Sequence, residues 1–154
     1  MLRSHYYDAD GKQPQSGGGR VLDVSKHPVV EDLCLAADVL VTDYSSIMFD
    51  YADLDRPIVV YAPDWQTYRT TRGVTFDLME QPPGAVATTE EDLTRVLGSG
   101  EANDEAAQRA RAAFRRRFCT FDDGHAAERV VRRVFLGQDP AGREGVPHVD
   151  DHGS

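Results

Sequence analysis

The chain has 154 residues, of which 40% are hydrophobic, and its formal net charge at pH 7 is −9. This length suits one domain of about 100–150 residues plus tails, and the acidic balance argues against a general nucleic-acid binder. Cys34 and Cys119 lie far apart, which indicates small buried side chains in a reducing compartment rather than a disulfide framework. No apolar run approaches the ~20 residues of a membrane span, and no signal peptide is visible. A cytoplasmic protein is therefore the default expectation.

The first part of the chain alternates between short apolar strands and segments with helical spacing. Residues 8–19, rich in Gly, Gln, Asp and Ser, predict a flexible loop. The last strand, 58–61, is apolar throughout, which is typical of a parallel sheet covered on both faces. The alternation predicts an α/β fold with a doubly wound parallel sheet. The elements expected after the loop are a strand at 20–24, a helix at 29–37, a strand at 39–41, a helix at 45–53 and the strand at 58–61.

The second part of the chain predicts mostly helices. Residues 62–88, with several Pro and Gly, are expected to form a long loop. Thr88 or Thr89 is expected to cap a helix that runs to about Leu97. An Ala- and Arg-rich helix is predicted at 103–118, a final helix at 125–136 and a disordered tail at 137–154.

The junction between the predicted strand at 39–41 and the predicted helix at 45–53 contains the residues that indicate a function. An apolar strand there leads into Ser45 and Ser46, and helix-like spacing begins at once. A helix start presents unpaired N–H groups and the positive end of the helix dipole, so it suits a phosphate. Arg3 and His5 follow a strand that is expected at the first residues of the chain, and ligands of such sheets lie beyond the carboxyl ends of the strands. The residues therefore indicate a phosphate site, with Asp50 placed one turn into the helix to accept hydroxyl groups of a sugar or glycerol.

Plainer interpretations stay open for each of these residues. Ser45 and Ser46 are also typical helix N-caps. His5 is also compatible with a structural or surface histidine, and Asp50 with a solvated carboxylate. The five histidines are scattered without ligand spacing, so no metal site is predicted, and no cofactor motif occurs.

Basic residues are concentrated in one C-terminal segment. Residues 109–133 contain eight Arg against three acidic residues. One interpretation is contact with an anionic polymer or with the anionic inner face of the cell membrane. The alternative is a solvated helix face that balances the acidic middle of the chain. The arginines considered for this contact are Arg109, Arg111, Arg115, Arg116 and Arg117.

Several segments together resemble the CDP-glycerol glycerophosphotransferases of teichoic acid synthesis. The resemblance extends over residues 1–136 and rests on the combination of motifs rather than on one of them. It implies that this part of the chain is the C-terminal, donor-binding portion of a GT-B fold, in which two Rossmann-like domains enclose the active site. The segments that carry it are Val21–Ser25, Asp32–Asp38, Thr42–Asp50, Tyr51–Ile58, Arg72–Asp77, Pro83–Gly84, Phe118–Gly124 and Ala127–Val131.

The resemblance also implies an activity and a set of site residues. Members of this family transfer glycerol phosphate from CDP-glycerol to a polymer or a lipid-linked primer and release CMP, without a cofactor. It implies that His5 is catalytic and that the donor is bound by Arg3, Ser4, His5, Ser45, Ser46 and Asp50. A transferase that uses CDP-ribitol or a nucleotide sugar, and a non-catalytic domain that binds a partner subunit, are the alternatives.

The sequence departs from the family pattern in its extent. The first domain of the family, with the histidine that activates the acceptor, has no counterpart here, nor have the early strands of the donor domain. We therefore expect a fragment, a truncated gene product or one half of a split enzyme that pairs with a separate N-terminal half. We also expect the chain alone to be inactive in transfer.

Overall fold

The computed structural model describes residues 1–4 and 20–138. It divides into two compact units, Met1–Cys119 and Thr120–Ser154. The first unit contains the sheet and the helices that cover it, whereas the described part of the second unit is helical.

The centre of the first unit is a parallel sheet of three strands. The strands are β1 (Leu40–Thr42), β2 (Ile58–Tyr61) and β3 (Ala85–Ala87), and they lie in that order. Leu40 pairs with Ile58, and Val59 pairs with Ala85. The strand at 58–61 is confirmed, and β1 begins one residue later than predicted.

Helices connect the strands and cover both faces of the sheet. Each crossover between parallel strands contains a helix, as parallel pairing requires. A single 3-10 turn separates the last two helices of the unit. The helices are α1 (Val30–Ala36), α2 (Ile47–Ala52), α3 (Trp65–Arg72), α4 (Glu90–Ser99), the 3-10 turn Glu101–Asn103 and α5 (Glu105–Phe118).

Strand β2 separates two hydrophobic clusters. Ile58 and Val60 belong to the larger cluster, whereas Val59 belongs to the smaller one with Ala87 and Val96. This alternation follows from the period-two geometry of a strand. Ile58, Val59 and Val60 are each 0% exposed, and each contributes about 1.5–3 kcal/mol by its burial. The prediction of a sheet covered on both faces is confirmed.

Side-chain caps begin two of the helices. The Thr89 hydroxyl accepts a hydrogen bond from the Asp92 N–H at 3.1 Å at the start of α4, so the predicted cap is confirmed. The Asp104 carboxylate accepts from the Ala107 N–H at 2.8 Å at the start of α5. Such caps satisfy donors that a helix start leaves unpaired. Gly100 ends α4 with a φ of 87°.

Two predictions about local structure are wrong. The expected loop at 62–88 contains α3 and β3, because the buried Trp65 attaches α3 to the core. The expected strand at 20–24 is reduced to one parallel bridge between Leu2 and Asp23. The predicted loop at 8–19 lies outside the described residues.

The second unit contains a short helix that continues into a π-helical turn. Helix α6 (Ala126–Val130) is followed by the turn Val131–Phe135, so the predicted final helix is present with a wider last turn. Arg129 donates to Asp123 at 2.6 Å. The predicted disordered tail lies outside the described residues from 139 onward, so the domain boundary at 136 stays a prediction.

Candidate functional site

The turn between β1 and α2 lies at the carboxyl edge of the sheet. Its Asp43 carboxylate accepts a hydrogen bond from the Ser45 N–H at 3.0 Å. The Ser45 hydroxyl accepts a longer bond, 3.4 Å, from the Ile47 N–H. Ser46 is the N-cap residue of α2, but its side chain caps no helix N–H. The capping interpretation therefore accounts for the Ser45 hydroxyl, whereas the exposed Ser46 hydroxyl is left for another role.

The first residues of the chain form the second part of the predicted site. Arg3 is exposed, and its Nη1 donates to the His27 carbonyl oxygen at 2.8 Å. The Ser4 N–H donates to the Ser25 hydroxyl oxygen at 3.0 Å. An arginine has five N–H donors in a planar fork, so most of that hydrogen-bonding capacity can still serve a phosphate. His5 lies outside the described residues.

The charges of Arg3 and Asp50 both act on the thiol of Cys34 in helix α1. Burial raises the pKa of the Cys34 thiol, and the negative charges of Asp50 and Glu31 raise it further. The positive charge of Arg3 lowers the pKa of the same thiol. Arg3 and Asp50 form no ion pair with each other within the described residues. A cation and a carboxylate are groups that suit a ligand with both phosphate and hydroxyl groups.

Tyr44 is a member of the same turn that sequence reasoning passed over. Its hydroxyl donates to Asp64 Oδ1 at 2.6 Å. Its ring stacks on Tyr68, with 3.9 Å between the ring centroids. Burial, followed by the hydrogen bond to Asp64, raises the pKa of Tyr44 well above its ordinary value. The available signal was the position of Tyr44 inside the motif, between Asp43 and Ser45.

Comparison with known proteins decides the family. Residues 1–136 match the family described as CDP-Glycerol:Poly(glycerophosphate) glycerophosphotransferase. The chain belongs to this family. The resemblance read from the sequence motifs is thereby confirmed for the family and for the extent of the match.

Curated relatives of this glycerophosphotransferase-family chain are named as teichoic acid polymerases and transferases. The chain is 33% identical over 139 residues to the teichoic acid poly(glycerol phosphate) polymerase of Bacillus subtilis strain 168, covering 90% of this chain and 19% of that protein. It is 38% identical over 119 residues to the teichoic acid glycerol-phosphate transferase of Staphylococcus aureus strain NCTC 8325, covering 75% of this chain and 30% of that protein.

A solved structure supports the fold assignment. The wall teichoic acid polymerase TagF superposes with a TM-score of 0.71 at 34% identity, over 84% of this chain and 32% of that one. A TagF variant has also been solved after a soak with CDPG. The predicted α/β, Rossmann-like sheet as part of a GT-B fold is confirmed. The chain spans about a fifth to a third of the length of these relatives.

The arginine segment of this family member is not a uniform basic surface. Arg111 is only 5% exposed, and its Nε donates to Asp55 at 2.8 Å. The prediction that Arg111 contacts a membrane or polymer surface is therefore wrong, because its guanidinium is enclosed between α5 and the turn after α2. Arg115 is half-buried, 3.6 Å from the same Asp55.

The other three arginines considered for this contact, Arg109, Arg116 and Arg117, are exposed. Arg109 forms an ion pair with Glu105 one helical turn away, and Arg117 lies over the Phe118 ring. Contact of these three with an anionic membrane or polymer stays a prediction. Within the described parts of the chain, no helix is both long enough and apolar enough to cross a bilayer.

Proposed function

We propose that this chain forms the donor-binding part of a transferase that moves glycerol phosphate from CDP-glycerol to a teichoic-acid-type polymer or a lipid-linked primer. The observation that supports the proposal is the exposed Ser46 hydroxyl, which caps no helix N–H at the β1–α2 turn on the carboxyl edge of the sheet, in a chain that belongs to the glycerophosphotransferase family. A phosphate-binding cation, free hydroxyl donors and a carboxylate are the groups that a CDP-alcohol requires.

The chemistry assigned to the site is phosphoryl transfer. An acceptor hydroxyl oxygen attacks the β-phosphorus of CDP-glycerol, the bond from that phosphorus to the bridging oxygen breaks, and CMP leaves with the bonding electrons. Negative charge on the phosphoryl oxygens grows along this path, and fixed donors stabilise it. The group that takes the proton of the acceptor hydroxyl is assigned to the part of the family fold that this chain does not span.

Each site residue has one role in the proposal. Arg3 and Ser4 bind the donor phosphates from one side, and Ser45 and Ser46 bind them from the β1–α2 turn. His5 is the proposed catalytic group, which donates a hydrogen bond to the leaving oxygen. Asp50 accepts hydrogen bonds from the glycerol hydroxyls.

Isothermal titration calorimetry with CDP-glycerol, CDP-ribitol and UDP-glucose tests the donor class. We expect the tightest binding for CDP-glycerol. A preference for CDP-ribitol would move the chain to the ribitol-phosphate transferases, which use the same kind of site. Absence of binding by all three compounds would favour a non-catalytic domain that binds a partner subunit.

Single substitutions test the residues. Arg3→Gln removes a charge-assisted bond worth about 1.5–3 kcal/mol, so the Kd for CDP-glycerol should rise about 10- to 100-fold. Ser46→Ala should raise it by roughly 3- to 10-fold. Arg109→Gln and Ser99→Ala are the matched controls, because both residues are exposed on other helices. Equal affinities in all four variants would show that the donor phosphates bind elsewhere.

A further inference from the structure

Tyr44 joins the β1–α2 turn to helix α3. Its hydroxyl donates to Asp64 at 2.6 Å, and its ring stacks on Tyr68 at an interplanar angle of 26°. The Trp65 ring lies 5.8 Å away between centroids. These three partners belong to one stretch at the start of α3, so a single side chain connects two segments that both follow sheet strands at their carboxyl ends.

Asp64 makes this connection in place of an ordinary cap. It is the N-cap residue of α3, yet its side chain caps no N–H of that helix. An aspartate at this position normally accepts a bond from the first turn of its own helix. The carboxylate instead accepts the Tyr44 hydroxyl, which is a charge-assisted bond. The Asp64 side chain therefore connects α3 to the β1–α2 turn and does not cap α3.

The other side chains of the turn also form bonds within it. Asp43 accepts from the Ser45 N–H, and Ser45 accepts from the Ile47 N–H. With Tyr44 fixed to α3, three consecutive residues before Ser46 are held by side-chain bonds. A backbone ordered before its ligand arrives loses less conformational entropy on binding, and this raises affinity.

We propose that Tyr44 and Asp64 are positioning residues for the donor site, which hold the Asp43–Ser46 backbone in its phosphate-binding conformation before the donor arrives. This inference rests on the proposed function, because it assigns that turn to the donor phosphates. Tyr44 itself points to α3 through its bonded hydroxyl and its stacked ring, and it acts through the turn. A tyrosine phenol has an ordinary pKa of about 10, so its hydrogen-bonding proton is present at neutral pH.

Calorimetry on four variants tests the role in donor binding. Tyr44→Phe and Asp64→Ala each remove the bond, and we expect each to raise the Kd for CDP-glycerol about fivefold to tenfold. Asp64→Asn keeps an acceptor oxygen and should stay within about twofold of the native protein. Tyr68→Phe keeps the stacked ring and is the matched control, with no expected change in Kd. Combining Tyr44→Phe with Asp64→Ala should weaken binding no more than either single change, since both remove one bond.

A second measurement on the ligand-free protein separates this inference from the proposed function. The Ser45 amide proton is bonded within the turn, and its hydrogen exchange should be about tenfold faster in Tyr44→Phe than in the native protein or in Tyr68→Phe. Faster exchange in a protein that binds no CDP-glycerol would show that the Tyr44–Asp64 bond orders the turn but would reject the proposed function, and with it the role in donor binding. A lower Tm together with unchanged exchange and unchanged Kd would overturn the positioning role and leave only a structural one.

Discussion

Gly84 offers a sharp test of the sheet packing, because an added methyl group there has no space. Gly84 is buried directly before β3. A Cβ at this position would lie 2.2 Å from the Ile58 carbonyl oxygen and 3.1 Å from its carbonyl carbon, whereas real Cβ contacts essentially never fall below 3.0 Å. Gly84→Ala must therefore move the backbones of Gly84 and Ile58 apart by at least the difference of 0.8 Å between 2.2 and 3.0 Å. The displaced residue, Ile58, is fully buried and paired with Leu40.

The expected loss of stability follows from that displacement. Overpacking a well-packed core costs about 1–3 kcal/mol, and a clash with backbone belongs at the upper end, so we expect about 3 kcal/mol. Urea unfolding followed by fluorescence measures it, because Trp65 is the single tryptophan and is buried in the core. Gly98→Ala is the matched control, since its Cβ meets nothing within 4 Å in helix α4, and it should stabilise the protein by about 0.5–1 kcal/mol. A Gly84→Ala protein as stable as the native one would refute the packing described here.

Two further predictions concern charged groups. Asp55→Asn should lower the free energy of unfolding by about 2 kcal/mol, because it leaves the buried Arg111 guanidinium without its counter-charge. Asn tolerates the φ of 52° at this position, so the backbone is not strained by the change. Arg111→Met should lower the free energy of unfolding by less in the same denaturation assay, since the exposed Asp55 carboxylate can be hydrated. The hydrogen bond from Arg129 lowers the pKa of Asp123 to about 2. The stabilising effect of this ion pair is therefore complete above the ordinary pKa of 3.8 and is lost as pH falls through 2. Carboxyl NMR should show a higher pKa of Asp123 in Arg129→Gln.

The strands and helices that the sequence predicts well are those with uniform burial. β2 is apolar at each position because both faces of the sheet are covered, so its bounds follow directly from the pattern. Helix α3 lacks such a pattern. Pro63 and Gly73 predict a loop, but they flank the helix, and Gly73 ends it with a φ of 71°. Thr70 and Thr71, poor helix formers by propensity, satisfy their hydroxyls on carbonyl oxygens of their own helix.

The candidate site was predictable where it depends on neighbours in sequence and not where it depends on distant ones. The position of Ser45 and Ser46 at a strand-to-helix turn follows from the apolar run before them. The pairing of Tyr44 with Asp64 joins residues separated by 20 positions, and no local pattern encodes it. The burial of Arg111 depends on Asp55, 56 positions earlier. Charge content alone therefore placed Arg111 on the surface.

The two parts of the site are attached to the fold with unequal strength. The β1–α2 turn is continuous with β1, which pairs with β2, and with the buried Met48 and Tyr51 of α2. The Arg3 segment is attached by one parallel bridge at Leu2 and by hydrogen bonds among exposed residues. Few buried contacts mean a low free energy of local opening. A phosphate bound by both Arg3 and the turn would supply the link that these side chains do not form with each other. The affinity measured for a donor is therefore reduced by the free energy of ordering the Arg3 segment, and the same donor stabilises that segment by mass action.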